Sequence, residues 1–264
     1  LELVTRENYF SMVIRLKTKI EIKLPDGKLY IIHQLLSHGN DNYKLALSNL
    51  YSTKYLTVGL SLAPHTSSGY NVCKDASPAC SADCLFFQGR ARYFKRINLA
   101  RIAKTLLFFQ ERTIFRKMLF EEIAQYRRSA LLTNKQLAVR LNVLSDIPWE
   151  RVYSSLFTEF QDIIFYDYTK RLERFNYEMP ENYSLTASRS ELNEEKCISL
   201  LSNKKTNVAV VFRKKKMPRI WKDFPVLDGN KNDLRFLDKG PGFIVGLSAK
   251  GSMKKDVSGF VEET

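Results

Sequence analysis

The apolar positions of this chain change rhythm several times. Between residues 18 and 34, "TKIEIKLPDGKLYIIHQ" holds two short alternating runs on either side of Pro25, Asp26 and Gly27. Period-two alternation around such a cluster predicts a β-hairpin. From "YLTVGLSLAPH" (55–65) the pattern becomes a near-continuous apolar run that ends in a Pro-containing loop. That loop leads into "INLARIAKTLLFFQERTIFRKMLFEEIAQYRR" (97–128), which has no Gly or Pro. Its apolar residues recur at helical spacing, as in Leu99, Ala103 and Leu106, then Phe115, Leu119, Ile123 and Tyr126. A long helix is expected there.

Beyond residue 135, short apolar runs alternate with polar or helical connections. They are "QLAVRLNVLSD" (136–146), "DIIFYDYTK" (162–170), "NYSLTASRSE" (182–191), "NVAVVFRKK" (207–215), "FPVLDG" (224–229) and "GFIVGLSAKG" (242–251). Residues 55–62 bring the number of such strands to about seven. Apolar strands joined by crossovers indicate a parallel sheet. The expected class is α/β: a (β/α) barrel or partial barrel of mainly parallel strands, with an N-terminal β-hairpin extension. An open doubly wound sheet is the alternative. Residues 1–54 read as the hairpin elaboration and 55–264 as the barrel-like domain, with a cysteine loop over 65–92.

Nearly every expected strand ends in chemically capable residues. Asp146 follows one; Asp167, Thr169 and Lys170 close the next; Ser188, Ser190 and Glu191 end a third; Asp228 and Lys250 end two more. Barrel enzymes gather their chemistry on this carboxyl-terminal rim, although polar residues end most strands in any case. Asp146 and Asp167 are candidates for general base or nucleophile, and Glu191 is a third carboxylate. Lys170 and Lys250 suit stabilisation of negative charge or a grip on phosphate. Tyr166, Tyr168 and Trp149 could stack a base, but aromatics so close to strands are more often core.

The stretch "GYNVCKDASPACSADCLFFQGRAR" (69–92) crowds three of the four cysteines into the loop between the first strand and the long helix. The spacing of Cys73, Cys80 and Cys84 is C-x6-C-x3-C. Three thiolates can hold an iron–sulfur cluster with one iron open, or zinc with a fourth ligand, for which His65 is the candidate. Three unconnected thiols are the plainer reading. Cys197, in "ELNEEKCISLL", reads as a buried thiol, and His33 and His38 read as structural.

Charge adds a partner. The net charge is +14, and it is concentrated in two segments: residues 90–128 hold eleven Arg or Lys against three Glu, and "RKKKMPRIWK" (213–222) holds six and no acid. A patch of this kind points to a polyanion, DNA or RNA, more than to general solubility. On one continuous helix Arg101 and Arg112 would project within about 20° of each other and Lys104 within about 80°. With Arg90 and Arg92 just before it, that face is expected to follow a phosphate backbone.

Hydrophobic content of 44% and aromatic content of 12% fit a globular chain. The sequence has no 18-residue apolar run, so no membrane span is expected. "LELVTRENYF" lacks a basic-then-apolar leader and reads as a trimmed start. Irregularly spaced cysteines do not suit a secreted disulfide framework, so a cytoplasmic location is expected, and the oligomeric state is left open.

The order of "LSLAPHTSSGYNVCKDASPACSADCL", "ARIAKTLLFF", "VRLNVLSDIPWE", "FYDYTKR", "NYSLTASRSELN", "NVAVVF", "VLDGNKNDLRFLD" and "GFIVGLSAKG" resembles the bacteriophage gene product 88 family from about residue 55 onward. The resemblance implies a phage or mobile-element origin, a host-cytoplasm location and a shared fold, and supplies no reaction. It favours Cys73, Cys80 and Cys84 as a ligand set without His65. More loosely, cysteines after a first barrel strand resemble radical S-adenosylmethionine enzymes, which would imply that cosubstrate. The usual spacing there is C-x3-C-x2-C, and a glycine-rich cosubstrate strand is not evident here. The expected function is thus a metalloenzyme acting on nucleic acid or nucleotides. The alternatives are a non-catalytic nucleic-acid-binding protein with structural zinc, and a small-molecule barrel enzyme with an incidental basic surface.

Overall fold

The computed structural model describes residues 19–38, 43–84 and 95–263. The hairpin forms as expected: β1 (Ile20–Lys23) and β2 (Leu29–Ile32) pair antiparallel. Gly27, at φ 84°, takes the left-handed backbone that the turn requires, and Asp26 Oδ1 accepts the Lys28 N–H at 3.1 Å.

The chain continues through β3 (Leu36–His38), α1 (Tyr43–Tyr51), β4 (Tyr55–Leu60), α2 (Pro78–Ala82), α3 (Lys95–Gln110), α4 (Arg112–Leu132) and β5 (Gln136–Arg140). Then come α5 (Trp149–Val152), α6 (Ser155–Glu159), β6 (Ile164–Thr169), β7 (Tyr183–Ser188), α7 (Glu194–Ser202) and β8 (Val208–Phe212). Last are β9 (Ile220–Trp221), β10 (Phe224–Asp228), β11 (Ile244–Ser248) and β12 (Val261–Glu262).

Among the described residues ten strands form one sheet, in the order β3-β4-β5-β6-β7-β8-β11-β10-β9, with β12 beside the end of β8. All seven expected strands lie adjacent and parallel, from β4 to β8 and on through β11 and β10. Among the described residues the sheet does not close into a barrel. The outer neighbour of β4 is antiparallel β3, and that of β10 is antiparallel β9, so the two parallel ends never pair. The sheet nevertheless curves far enough for the chain leaving β10 to reach β4. Phe236 meets the Tyr55 ring edge-on at 5.1 Å, and Asp233 N donates to Ser48 Oγ of α1 at 3.2 Å.

The outer face of β4, β5 and β6 buries Val58, Leu60, Val139, Leu141 and Phe165 against Leu106, Leu107, Phe115 and Leu119 of α3 and α4. Each such side chain stabilises the fold by about 1.5–3 kcal/mol. A second cluster packs Val208, Val210, Phe212 and Ile244 against Cys197 and Leu201 of α7. Inside the curve, Ala138, Tyr166 and Leu234 pack with Tyr55 and Phe236. Tyr166 is therefore core, as is fully buried Trp149.

Two expectations change. The long helix is two helices, broken at Glu111 (φ −129°, ψ 57°) although neither Gly nor Pro is present. Phe108 and Phe115 would stand about 10 Å apart along a straight helix, yet their rings lie 5.1 Å apart and both contact Trp149. Aromatic packing outweighs the local preference for an unbroken helix. Second, the chain before residue 55 is not all elaboration. β3 extends the main sheet, and Glu122 of α4 accepts the Leu35 and Leu36 N–H groups at 2.7 and 2.8 Å.

Candidate functional site

A cavity of about 270 Å³ opens at the carboxyl ends of the parallel strands. β5, β6, β7, β8, β10 and β11, or the loops that leave them, all contribute to its wall. Strand alternation sends Arg140 and Tyr168 inward, where Asp233 accepts from Arg140 Nη1 at 2.5 Å and from the Tyr168 hydroxyl at 3.3 Å. Above this polar floor lie Asp146, Lys170 and Ser188, and Cys73, Cys80 and Cys84 line the wall together with His65.

Asp146 is held by the loop "NVLSDIPW". Asn142 Oδ1 accepts from Ser145 Oγ, Ile147 N and Trp149 Nε1 at 2.8–3.0 Å, and Asn142 Nδ2 donates to Ile147 O at 2.9 Å. So anchored, Asp146 accepts from Thr169 Oγ1 at 2.7 Å and Lys170 N at 2.8 Å, with Arg174 Nη1 3.5 Å away. Burial raises its carboxyl above the ordinary range. Lys170 Nζ donates to Ser188 Oγ at 3.0 Å and lies over the Phe260 ring at 5.4 Å.

Asp167 does not share this cavity. Its neighbours Tyr166 and Tyr168 occupy the inner face, so Asp167 points to the other side of β6. There it accepts from Asn142 N at 2.7 Å and the Tyr183 hydroxyl at 2.8 Å, and burial pushes its carboxyl up to about 7. It fixes the loop that carries Asp146. Glu191 also has a different task. Its carboxylate accepts from Ser77 Oγ at 2.7 Å and Ala79 N at 3.0 Å, tying the start of α2, and with it Cys80, to the end of β7.

The three cysteines share the cavity wall, and none of the four cysteines is in a disulfide. Cys73 Sγ lies 3.6 Å from Leu144 O, and burial pushes its thiol up to about 12. Among the described residues no three His, Cys, Asp or Glu side chains are gathered closely enough to hold a metal ion as they stand. His65 takes left-handed backbone (φ 49°), with Nδ1 3.2 Å from Thr66 Oγ1. Cys197, on the inward side of α7, is fully buried, as expected.

The expected basic helix face is largely dispersed. Lys104 is buried and donates to Leu35 O at 2.7 Å, so its ammonium serves the N-terminal junction. Arg101 is half-buried and donates to Asn98 Oδ1. Arg112 is exposed but opens the second helix, with its guanidinium over Phe108 at 5.3 Å, so the phase shared with Arg101 is lost at the break. Arg90 and Arg92 lie outside the described residues. Lys250, in contrast, is exposed and lines the cavity mouth. The other lysines near it, 214–216 and 254–255, follow β8 and β11; the charge of the first run was visible in sequence, but its place beside the cavity was not. Arg140, Asn142 and Asp233 were also not singled out, because only strand phase and the β10–β11 connection bring them to the cavity.

A curved, mainly parallel α/β sheet with its cavity at the strands' carboxyl edge defines the architectural class. Within that class, the chain belongs to the bacteriophage Gene product 88 family, whose profile matches residues 34–264. No curated protein and no solved structure matches it. Among the described residues no helix is long and apolar enough to cross a membrane.

Proposed function

We propose that the chain is a metalloenzyme acting on nucleic acid or nucleotides, with the cavity at the carboxyl edge of the sheet as its active centre. The observation that carries this reading is the meeting of three thiols from one loop with Asp146, Lys170 and Ser188 on a single cavity. Ligands in open α/β sheets bind outside the carboxyl ends of the strands. In this reading Asp146, with its raised carboxyl, takes a proton from the substrate, and Lys170 and Ser188 hold a phosphate or developing negative charge.

Cys73, Cys80 and Cys84 would hold an iron–sulfur cluster, which supplies electron transfer or Lewis-acid chemistry when bound. The donor set fits a soft metal, and binding requires the loop to draw its thiols together and Cys73 to lose the proton that burial favours. Glu191 and Ser77 position the short helix that presents Cys80.

Metal and acid-labile sulfide analysis of anaerobically prepared protein tests the proposal. Iron and sulfide in matching amounts, both lost in Cys80→Ala, are expected. Zinc without sulfide would replace the cluster with a structural metal, and metal content unchanged by Cys80→Ala would remove the cysteines from the site.

A further inference from the structure

We propose that the substrate is a single-stranded nucleic acid whose backbone lies along a lysine rim while one nucleotide enters the cavity. This rests on the nucleic-acid reading above and narrows it from nucleotides in general to a polymer with one residue out of its stack.

The rim is built by two neighbouring strand ends. Arg213, just after β8, donates to the carbonyls of Lys254 and Asp256, and its backbone N–H donates to Glu262 O at 2.9 Å. The loop that carries Lys214, Lys215 and Lys216 is thus fastened against the segment that carries Lys254 and Lys255. That segment also supplies Lys250 and Met253 to the cavity wall. Lys215, Lys216, Lys250, Lys254 and Lys255 are exposed, and among the described residues no carboxylate lies within ion-pairing distance of them. A mononucleotide carries about two negative charges and needs one or two such partners. Exposed cations in this number on two neighbouring segments at the carboxyl edge of the sheet match a row of phosphates, each neutralised with release of a counterion.

The cavity itself fits one residue of such a chain. At about 270 Å³ it has room for a single base and sugar. Tyr168 and Phe260 line the cavity, with Arg140 over the first ring at 4.8 Å and Lys170 over the second at 5.4 Å, and Lys170 and Ser188 stand where a flanking phosphate would pass. A duplex must unpair and unstack a nucleotide to enter, whereas a single strand bears little of that cost.

Fluorescence anisotropy with a labelled twelve-nucleotide strand and the matching duplex tests the proposal, together with 2-aminopurine placed inside the strand. We expect the single strand to bind at least tenfold more tightly than the duplex, and 2-aminopurine emission to change as the base leaves its neighbours. Combined Lys214→Ala, Lys215→Ala and Lys216→Ala should weaken binding at least tenfold and flatten its dependence on salt. Val211→Trp, which fills the cavity, should keep the salt dependence and lose the emission change. Equal affinity for strand and duplex, with constant emission, would overturn insertion of a nucleotide whether or not Val211→Trp folds. A mononucleotide that binds where the polymer does not would overturn the polymer while leaving an enzyme acting on nucleotides. Failure of both to bind would remove the nucleic-acid reading as well.

Discussion

The carboxylate of Glu122 lies 87 residues along the chain from Leu35, whose N–H it accepts, and it accepts the Leu36 N–H as well. Lys104 donates to the Leu35 carbonyl, so one acid and one base close both ends of that peptide segment. Glu122→Gln keeps the size but replaces one acceptor with a donor facing an N–H. We expect a loss of about 1–3 kcal/mol, measured by urea unfolding. Burial pushes Glu122 and Asp167 each up to about 7. In the unfolded chain both titrate near 4, so between about 4 and 7 the folded state binds protons that the unfolded state does not. Their contribution to stability is present at the acid end and lost as pH rises through 7. Unfolding free energy should therefore be lower at pH 8 than at pH 5.5, and this difference should shrink in Glu122→Gln. An undiminished difference would remove Glu122 from the account. At this scale the sequence showed that carboxylates end the strands, but not which face each takes. Asp146 and Asp167 look alike as letters, and only the phase of β6 and the Asn142 loop separate cavity from core.

Elements were more legible where burial alone decides them. Five of the parallel strands, β4, β5, β6, β8 and β11, are buried along much of their length, so their apolar runs stand out whatever the connections do. The break at Glu111 was not legible, since it is set by Phe108 and Phe115 meeting Trp149 from a different part of the chain. Short edge elements were equally silent: β9 and β12 have two residues each, too few for any period. Glu191 shows how one element positions another, because it crosses from the end of β7 to the first turn of α2. We expect Glu191→Ala to speed amide hydrogen exchange over residues 77–84 by at least tenfold, with the strand amides unchanged. Unchanged exchange in that segment would mean that Ser77 and local packing hold the cysteine loop without it.

Across the whole molecule, the N-terminal and C-terminal parts close on each other. Ser48 of α1 meets Asp233, and Asp233 pairs with Arg140 at the cavity floor. Removal of residues 1–54 would delete β3 and α1 and leave the edge of β4 and the underside of the floor uncovered. Such a chain is expected to be insoluble or to melt well below the intact protein, whereas a stable product would restore a boundary at residue 54. The charge distribution was only half legible for a related reason. Composition located the lysine run after β8, but the strand order β8-β11 is what sets it beside the lysines that follow β11. The central claim is that this rim, the cavity and the three thiols form one centre. Iodoacetamide labelling of metal-free protein, read by mass spectrometry at each cysteine with and without a bound single-stranded oligonucleotide, tests it most directly. The account predicts that Cys80 and Cys84 react and are protected by the oligonucleotide, while Cys73 and Cys197, whose thiols burial pushes up to about 12, react slowly in either case. An oligonucleotide that binds fully and leaves the labelling of Cys80 and Cys84 unchanged would contradict it.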